Sequence, residues 1–338
     1  MENKRQPKVS VIVPIYNVEK YIERCVRSLM EQTLDDIEYI FVNDATPDRS
    51  MEVLNRVIDE YPQRKPYVTI FTHENNKGQS SARNLGIKNS TGKYIFFVDS
   101  DDEISIKAIE SLYNIAEENN SGLVIADNQI IHNDEVSVVS SKIREATIDD
   151  NKKLLKSYCA GEWYNVVWNK LIRTDILINN ELYFADNLKF EDELWTFKLA
   201  TVINNMSIIH DITYTYIVHD NSTMTTIIGR DKWIKFIDIL ELMSKWIKDK
   251  NLQKYSFVQR FICLKLVQTL SNIKPPKYNI FKRITNIATF DVRSLYSQKA
   301  ISFKEYVAYK YFDFPDAIGF VYYKAMHLLF TIKGLFRR

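Results

Sequence analysis

Short apolar runs alternate with amphipathic stretches along the first 126 residues of the chain. The run from Val9 to Tyr16 is rich in β-branched residues and predicts a strand. In the following segment, Glu19 to Gln32, apolar residues recur at helical spacing on one face. The alternation then repeats, with strands predicted at 37–42, 68–71, 92–98 and 123–126 and helices at 48–61, 79–89 and 105–118. This order predicts an α/β fold, a mostly parallel sheet flanked by helices.

The pattern changes in the rest of the chain. From about Ile130 it predicts polar loop and irregular helix up to a strand at 207–216, and beyond Gly229 it is helical to the end. A length of 338 residues fits about two domains better than a single core. We therefore predict a sheet domain followed by an α-helical C-terminal region.

The composition is that of an ordinary soluble globular protein, with 46% hydrophobic and 26% charged residues. No stretch reaches the ~18 uninterrupted apolar residues of a membrane-spanning helix, and no apolar signal-peptide core follows residues 1–7. These features predict a cytoplasmic location.

The net charge of +2 hides two regions of opposite charge. Residues 230–338 contain 21 Lys and Arg against 8 Asp and Glu, a balance of +13, which leaves −11 for residues 1–229. An acidic body argues against a nucleic-acid partner, because nucleic-acid-binding proteins spread basic charge over the recognition surface. The basic C-terminal region indicates contact with an anionic surface.

Three carboxylates follow the strand predicted at 92–98. Asp99 and Asp101, at the carboxyl end of a parallel strand, can together hold one divalent cation that takes its other ligands from water and substrate phosphates. Asp102 and Ser105 also precede a predicted helix, where short acidic residues often cap the free N–H groups. From the residues alone, a metal site and a helix cap both stay open.

Other candidate ligand groups stand at the ends of neighbouring predicted strands. Tyr16 can stack on a nucleobase, or simply pack at the sheet edge. Asp44 can accept a pyrimidine N–H, or serve the turn in which it lies. Gly78 opens a helix whose amides, with Arg83, suit a diphosphate, although an ordinary glycine-initiated helix with an exposed arginine has the same sequence pattern.

These segments, read together, closely resemble the glycosyltransferase family 2 enzymes, which have the nucleotide-sugar-binding GT-A fold. The resemblance rests on four motifs in matching order and spacing, at residues 9–17, 42–44, 78–86 and 92–102. It covers residues 8 to about 126 strongly and continues weakly to about 225. It implies a nucleotide-sugar-binding half over 1–126 and an acceptor-binding half over 127–229, followed by a basic helical region over 230–338.

The resemblance also implies roles for single residues. A uracil would stack near Tyr16 and form a hydrogen bond with Asp44, while Asp99 and Asp101 would be the metal-binding DxD pair for Mn²⁺ or Mg²⁺. Asp101 would be the direct metal ligand. Independently of the resemblance, His219 follows the last predicted strand and is a candidate for contact with the diphosphate or the metal, although a lone histidine on a loop more often has neither role. The full set of implied donor contacts is Pro14, Tyr16, Asp44, Arg83, Asp99 and Ser100.

The chain departs from the family pattern in two places. Where the family usually has Asp-Gly-Ser-Thr-Asp, this chain has an alanine at position 45, which stiffens the loop and affects the expected ribose contacts more than the base contact. The QxxRW motif of processive polysaccharide synthases is absent from the sequence, as are their membrane spans. Addition of a single sugar is therefore predicted.

The segment Phe190-Glu191-Asp192-Glu193 resembles the acidic pair that the family places in the second half of the domain. It implies that Asp192 is the base that deprotonates the acceptor hydroxyl. Acids also gather in the first turn of a helix, and a helix is predicted from Asp192 to Ala200. With the metal and Arg83 offsetting charge on the leaving nucleoside diphosphate, direct displacement would invert the anomeric carbon.

The end of the chain combines apolar residues at helical spacing with basic neighbours. This pattern is typical of a helix in the interface of an anionic membrane, and equally of a helix packed on the domain or on a second subunit. The first interpretation predicts peripheral association with the inner face of the cell membrane. The residues are Phe314, Ile318, Val321, Tyr322, Ala325, Leu328, Leu329, Ile332 and Phe336, with Lys324, Lys333, Arg337 and Arg338.

We predict an inverting hexosyl- or N-acetylhexosaminyltransferase that moves one sugar from a UDP-sugar to a glycan acceptor. A lipid-linked oligosaccharide in surface polysaccharide biosynthesis is the expected acceptor. Two alternatives are a catalytically inactive nucleotide- or glycan-binding module and a sugar-phosphate nucleotidyltransferase, although the glycine-rich N-terminal loop of the latter is missing here. The donor sugar, the linkage and the oligomeric state cannot be predicted.

Overall fold

The computed structural model describes residues 6–219, 229–273, 276–288 and 290–335, and the side chains of residues 327 and 329–335 fall outside that description. The chain forms two compact units, residues 1–225 and residues 226–338. The predicted division of the sheet domain into halves at residue 126 stays a prediction.

Strands and helices alternate in the first unit as the sequence predicts. The strands are β1 (Val9–Ile15), β2 (Ile37–Asn43), β3 (Val68–Thr72), β4 (Tyr94–Phe97), β5 (Glu103–Ile104), β6 (Leu123–His132), β7 (Glu135–Val139), β8 (Thr147–Ile148), β9 (Lys170–Arg173) and β10 (Met206–Ile217). The helices are α1 (Ile22–Met30), α2 (Ser50–Asp59), α3 (Gln79–Asn89), α4 (Ala108–Glu118), α5 (Asn151–Cys159), α6 (Thr174–Asn179) and α7 (Glu191–Val202).

One sheet contains all of these strands, in the order β3-β2-β1-β4-β9-β6-β10-β5, with β7 beside β6 and β8 beside β10. β1 pairs in parallel with β2 and β4, and β2 pairs in parallel with β3. The carboxyl ends of β1, β2 and β4 therefore meet at one edge of the sheet, where ligands bind in open α/β folds. The predicted α/β fold, with helices flanking a mostly parallel sheet, is confirmed.

Helix α3 packs closely on β1 at Gly86. A Cβ at this position would lie 2.4 Å from Cγ2 of Ile12. β1 is buried along its whole length, so the branched side chain of Ile12 has little room to move away. Gly86, in the third motif, thus allows close helix–sheet packing. This packing sets the distance from the sheet of Arg83, which lies one turn earlier on the same helix.

The region between residues 130 and 206 is more regular than the sequence predicts. β9 is only four residues long and runs antiparallel between β4 and β6, with Ile172 opposite both Ile95 and Leu123. The prediction of polar loop and irregular helix is wrong for this segment, because four residues are too few to show a strand period. β9 brings Lys170 to the carboxyl edge of the sheet, next to the end of β4.

The second unit is helical, as predicted. Its helices are α8 (Arg230–Asp249), α9 (Ser256–Asn272), α10 (Tyr278–Ile287), α11 (Val292–Ser297), α12 (Phe303–Tyr309) and α13 (Asp316–Leu335). Part of its core is the apolar cluster of Cys263, Val292, Leu295 and Ile301. Within the described part of the chain, no helix combines the length and the apolar character needed to cross a membrane.

Helix α13 exposes several of the apolar side chains predicted for an interfacial helix. Ile318, Val321 and Leu328 are 58%, 67% and 61% exposed. Tyr323, on the same helix, is buried instead, and its hydroxyl donates to the carbonyl of Leu270 at 3.2 Å. Of the other predicted residues, Phe336, Arg337 and Arg338, and the side chains of Leu329, Ile332 and Lys333, lie outside the described part of the chain.

Candidate active site

Tyr16 stands at the carboxyl end of β1 with its ring open to solvent, at 46% relative exposure. The next residue, Asn17, has a left-handed φ of 57°, which asparagine tolerates better than most residues. Its backbone N–H donates to the hydroxyl of Thr46 at 2.8 Å, which joins the loop after β1 to the loop after β2. The Tyr16 ring is therefore exposed at this edge of the sheet, and its stacking on a nucleobase stays a prediction.

Asp44 follows β2 and is almost fully buried. Its Oδ1 lies 2.7 Å from Nδ1 of His73 and accepts the N–H of Lys77 at 2.8 Å, and its Oδ2 accepts the N–H of Gly78 at 2.8 Å. Asp44 thus organises the loop that leads into α3. A carboxylate has about four acceptor positions, so these contacts within the described chain leave room for a pyrimidine N–H.

The guanidinium of Arg83 joins two carboxylates from distant parts of the chain. Nη2 donates to Oδ1 of Asp99 at 2.7 Å, and Nη1 donates to Oε1 of Glu191 at 3.0 Å. Only 4% of the Arg83 side chain is exposed. Burial works against its charge, but Asp99 and Glu191 outweigh burial and raise the pKa of Arg83. Arg83 therefore holds the strand-end acids beside the acidic pair of α7, rather than standing exposed on its helix.

Asp101 lies beside His219. Its Oδ2 is 2.8 Å from Nε2 of His219, and its carbonyl accepts a hydrogen bond from Nη2 of Arg24 at 2.7 Å. The imidazole stacks on the ring of Tyr21, with centroids 4.2 Å apart. Burial and the charge of Asp99 raise the pKa of Asp101, and the hydrogen bond from His219 works in the opposite direction. His219 thus contacts the predicted metal-binding pair directly.

Asp102 has a structural role that the sequence did not predict. Its carboxylate accepts the hydroxyl of Tyr214 at 2.7 Å and the N–H of Ile217 at 3.0 Å, and the same hydroxyl accepts the N–H of Asp99 at 3.1 Å. Burial, with Asp101 and Asp99 nearby, raises the pKa of Asp102 well above its usual value. The helix-cap alternative is wrong, because α4 begins after Lys107 and has no side-chain cap.

Asp192 lies in the first turn of α7, two residues after Phe190, whose φ of 64° is unusual for a bulky residue. Its Oδ1 accepts the backbone N–H of Glu193 at 2.9 Å. Burial, with Glu191 and Glu193 alongside, raises the pKa of Asp192 to about 7. A carboxylate with this pKa can both take up and release a proton near neutral pH, which is the property required of a general base.

Lys170 is a further charged group of this site, and the sequence did not assign it a role. It is 1% exposed, and its Nζ donates to the carbonyl of Val166. Burial lowers the pKa of Lys170 to about 7, and the nearby Asp192 works against that shift. The opposite charges of Lys170 and Asp192 therefore favour each other. The signal available in the sequence was the segment Trp168-Asn169-Lys170-Leu171, which resembles a family element beneath the acceptor site.

Two other predicted donor contacts are buried. Pro14 lies within β1, two residues past Ile12. The pairing of Ile12 with Phe97 is the last between β1 and β4. The N–H that Pro14 lacks is therefore not needed for a hydrogen bond between these two strands. Ser100 lies between the two predicted metal ligands and is 6% exposed. Their side chains are thus near the predicted donor site, and their contacts with a donor stay predictions.

The acids Asp99 and Asp101 fit a divalent cation by donor chemistry, because carboxylate oxygens are the ligands that Mg²⁺ and Mn²⁺ prefer. In the parts of the chain that the structure describes, no group of three or more His, Cys, Asp or Glu is arranged as a ready metal site. A cation here would draw most of its ligands from a bound diphosphate and water, as Mg²⁺ does in nucleotide sites.

The family of the chain is shown by comparison with known proteins. A profile described as Glycosyl transferase family 2 matches residues 10–179, half of the chain. The chain belongs to this family. It is 35% identical over 220 residues to EpsJ of Bacillus subtilis, an uncharacterized glycosyltransferase, and the match covers 64% of this chain and 62% of EpsJ.

A second relative is poly(ribitol-phosphate) β-N-acetylglucosaminyltransferase TarS of Staphylococcus aureus. It is 28% identical over 214 residues, which cover 62% of this chain and 35% of TarS. The chain thus spans less than two thirds of the length of either relative.

Solved structures share the fold. Residues 1–349 of S. aureus TarS in complex with UDP-GlcNAc superpose with a TM-score of 0.76 at 20% identity, covering 96% of this chain and 92% of that structure. The mannosyltransferase PcManGT of Pyrobaculum calidifontis, in complex with GDP-Man and Mn²⁺, gives a TM-score of 0.52 at 14% identity, with 96% and 87% coverage. At these identities the likeness establishes the fold.

The predictions of a family 2 glycosyltransferase and of the GT-A fold are therefore confirmed. Neither alternative, an inactive binding module or a nucleotidyltransferase, is favoured by these relatives.

Proposed function

We propose that this protein transfers one sugar, a hexose or an N-acetylhexosamine, from a UDP-sugar to a hydroxyl of a glycan acceptor in cell-surface polysaccharide synthesis. The observation that carries the proposal is the Arg83 bridge, which holds Asp99 of the strand-end motif beside Glu191, the neighbour of Asp192. Donor-side acids and a base with a pKa near 7 thus belong to one site. The UDP-GlcNAc bound to TarS and the poly(ribitol-phosphate) in its name support this donor class and a surface-glycan acceptor.

The donor base would lie at the carboxyl ends of β1 and β2. Tyr16 supplies an exposed ring for stacking, worth about 1–3 kcal/mol per base in nucleic-acid binders. Asp44 is held by His73 and by two backbone N–H groups, so its remaining acceptor capacity has a fixed direction. An acceptor in that position favours uracil over cytosine, because N3 of uracil carries a proton at neutral pH and N3 of cytosine does not. Pro14 and Ser100 are the further contacts proposed for the donor.

Asp99 and Asp101 would hold Mn²⁺ or Mg²⁺, which when bound offsets the negative charge of the diphosphate. The Mn²⁺ found with PcManGT supports this cofactor class. Arg83 holds the Asp99 carboxylate in place through its 2.7 Å contact. His219, hydrogen-bonded to Asp101 and stacked on Tyr21, orients the second carboxylate.

Asp192 would remove the proton from the attacking acceptor hydroxyl. A positioned carboxylate base typically contributes 10²–10⁴-fold in rate, and its raised pKa matches a reaction run near neutral pH. Attack by the acceptor oxygen on the face of the sugar opposite the nucleoside diphosphate inverts the anomeric carbon. Glu191, fixed by Arg83 at 3.0 Å, anchors the first turn of α7 and with it the position of Asp192.

The acceptor would be lipid-linked, with the protein at the anionic inner face of the cell membrane. The exposed side chains of Ile318, Val321 and Leu328 on α13 support this location, because an interfacial helix buries such a face in the headgroup region. The balance of +13 over residues 230–338 adds electrostatic attraction of about 1 kcal/mol for each basic residue near anionic lipid.

Donor turnover tests this function. The protein is incubated with UDP-GlcNAc, UDP-glucose and UDP-galactose, with and without membranes of a polysaccharide-producing bacterium, and UDP release is measured. At least one UDP-sugar should release UDP faster when membranes are added, and Asp192→Asn should reduce that rate by at least about 10²-fold.

Asp149→Asn is the matched control, because Asp149 is an exposed carboxylate of the same unit. It should keep the wild-type rate. UDP release that is absent for every donor, or equal in Asp192→Asn and wild type, would contradict the proposed function.

A further inference from the structure

A second carboxylate–imidazole pair lies on β6 and β10, apart from the groups described above. Nδ1 of His210 is 3.1 Å from Oδ2 of Asp127, and Oδ1 of Asp127 accepts the backbone N–H of Ser141 at 2.9 Å. The Asp127 side chain is 4% exposed, whereas the His210 side chain is 55% exposed. A buried carboxylate therefore holds an imidazole that faces solvent.

An irregularity in β10 puts His210 in this position. Along β6, Ala126 and Asp127 are consecutive, but their partners on β10 are separated by the two extra residues His210 and Asp211. Such bulges turn a side chain away from its regular direction and are frequent next to active sites. The backbone conformation of the bulge therefore places the imidazole beside Asp127.

Asn169 locks the bulge in place. It has a φ of 56°, and its amide donates to the carbonyls of Ala126 and Asp127 at 2.9 and 3.1 Å. Its Oδ1 accepts the hydroxyl of Thr213 at 2.6 Å, on the far side of the bulge. Asn169 is itself 4% exposed, so these buried bonds rigidly connect β6, β9 and β10. This arrangement is built around the pair and has no part in the chemistry assigned to Asp192.

The strand register relates this pair to the donor side of the site. Phe96, Leu171 and Val124 lie side by side on β4, β9 and β6. Asp99 lies three residues beyond Phe96, and Asp127 lies three residues beyond Val124, towards the same edge because β4 and β6 run in the same direction. Two strand spacings of ~4.8 Å separate the strands, so Asp127 lies about 10 Å from Asp99 across the edge.

We propose that His210, held by Asp127, is an acceptor-binding subsite that takes a sugar or polyol hydroxyl. The inference rests on the proposed function, because it names the acceptor side of that same site. Nδ1 of His210 is engaged by Asp127, so Nε2 is the ring nitrogen left for a ligand on this 55% exposed side chain, and a hydroxyl, which can both donate and accept, suits it. Nε2 binds a hydroxyl of the acceptor residue next to the one being glycosylated, because the pair lies about 10 Å along the edge from Asp99, where the donor's diphosphate would lie.

Ring-nitrogen NMR tests this subsite without requiring turnover. Protein labelled with ¹⁵N in its histidine rings is saturated with UDP and titrated separately with methyl glucoside, methyl galactoside, methyl N-acetylglucosaminide and ribitol. His210→Gln assigns the resonance, and His132, an exposed histidine at the end of β6, is the internal control. At least one probe should shift the Nε2 resonance of His210 and leave that of His132 unchanged.

Asp127→Asn should weaken the response to that probe about tenfold in apparent Kd, the effect of losing one oriented hydrogen bond. His210→Ala, at an exposed position, should leave UDP binding unchanged, which separates the subsite from the donor side. UDP binding without any shift at His210, or equal shifts at His210 and His132, would overturn the subsite alone. A shift at His210 in a protein that fails to bind UDP would contradict the proposed donor and support the subsite.

Discussion

Arg83 and Glu191 lie 108 residues apart in the sequence, yet Nη1 of the guanidinium donates to Oε1 of the carboxylate at 3.0 Å. The other arm of the same guanidinium contacts Asp99 at 2.7 Å. One buried cation therefore connects the strand-end acids on the donor side to the acidic start of α7. The geometry of the proposed site depends on this bridge.

Removal of Arg83 is expected to destabilise the fold as well as the site. Arg83→Met leaves two largely buried carboxylates without their cation, and breaking a buried ion pair typically costs about 3–5 kcal/mol. Thermal unfolding should show a clearly lower Tm, with part of the loss restored in Arg83→Met/Glu191→Gln. Arg27→Met breaks more exposed ion pairs with Glu23 and Glu60 and should cost less than about 1 kcal/mol for each pair. Equal losses in the two single variants would refute the bridge as a structural element.

The acid limb of the pH–rate profile is expected to follow Asp192. Because burial raises its pKa to about 7, the carboxyl is protonated and inactive as a base below that pH, and ionised above it. kcat/KM should therefore rise through about pH 7 and reach a plateau. Asp192→Asn should remove this limb together with at least about 10²-fold of the activity. If the acid limb persists in Asp192→Asn, it reports the titration of another group.

Lys170 is expected to favour the ionised form of Asp192. In Lys170→Met the positive charge is lost, so the pKa of Asp192 should rise and the acid limb should move to higher pH by about one unit. The rate at pH 6.5 should fall more than the rate at pH 8.5. Lys156→Met, which removes an exposed lysine from α5, should leave the limb in place. If the acid limb of Lys170→Met does not move, Lys170 does not influence the pKa of Asp192.

Two exposed residues of α13 allow a test of membrane association. Ile318→Asp/Val321→Asp should reduce sedimentation with vesicles of phosphatidylcholine and phosphatidylglycerol by at least about tenfold, because each buried apolar side chain is worth about 1.5–3 kcal/mol. Val136→Asp/Val138→Asp introduces the same charges at equally exposed positions of β7 and should bind like wild type. Equal binding by both double variants would show that α13 does not meet the lipid.

The strand-end residues could be predicted from the sequence because each ends a recognisable apolar run. Tyr16, Asp44 and Asp99 follow β1, β2 and β4, and parallel strands bring such positions to one edge. The partners of these residues could not be predicted in the same way. The contact between Arg83 and Glu191 depends on the tertiary fold, which brings the start of α7 to the side chain of Arg83 and which no local spacing reports.

The acceptor side was less predictable for a different reason. β9 is too short to show a period, and the bulge in β10 depends on the left-handed Asn169, whose amide and carbonyl bind strands far away in the sequence. His210 and Asp127 are therefore brought together by tertiary structure alone. The same holds for Asp102, which looked like a helix cap and instead binds Tyr214 and Ile217.

Calorimetric titration of UDP, with GDP as the comparison, into wild type and Asp101→Ala tests the central claim most directly. Each titration is run with Mn²⁺ and with EDTA, and Asp149→Ala provides the control for loss of an exposed carboxylate. The account predicts that wild type and Asp149→Ala bind UDP more tightly than GDP in Mn²⁺, and that EDTA or Asp101→Ala weakens UDP binding at least about tenfold. The account would be contradicted if neither nucleotide binds, or if UDP binds equally well without the metal and without Asp101.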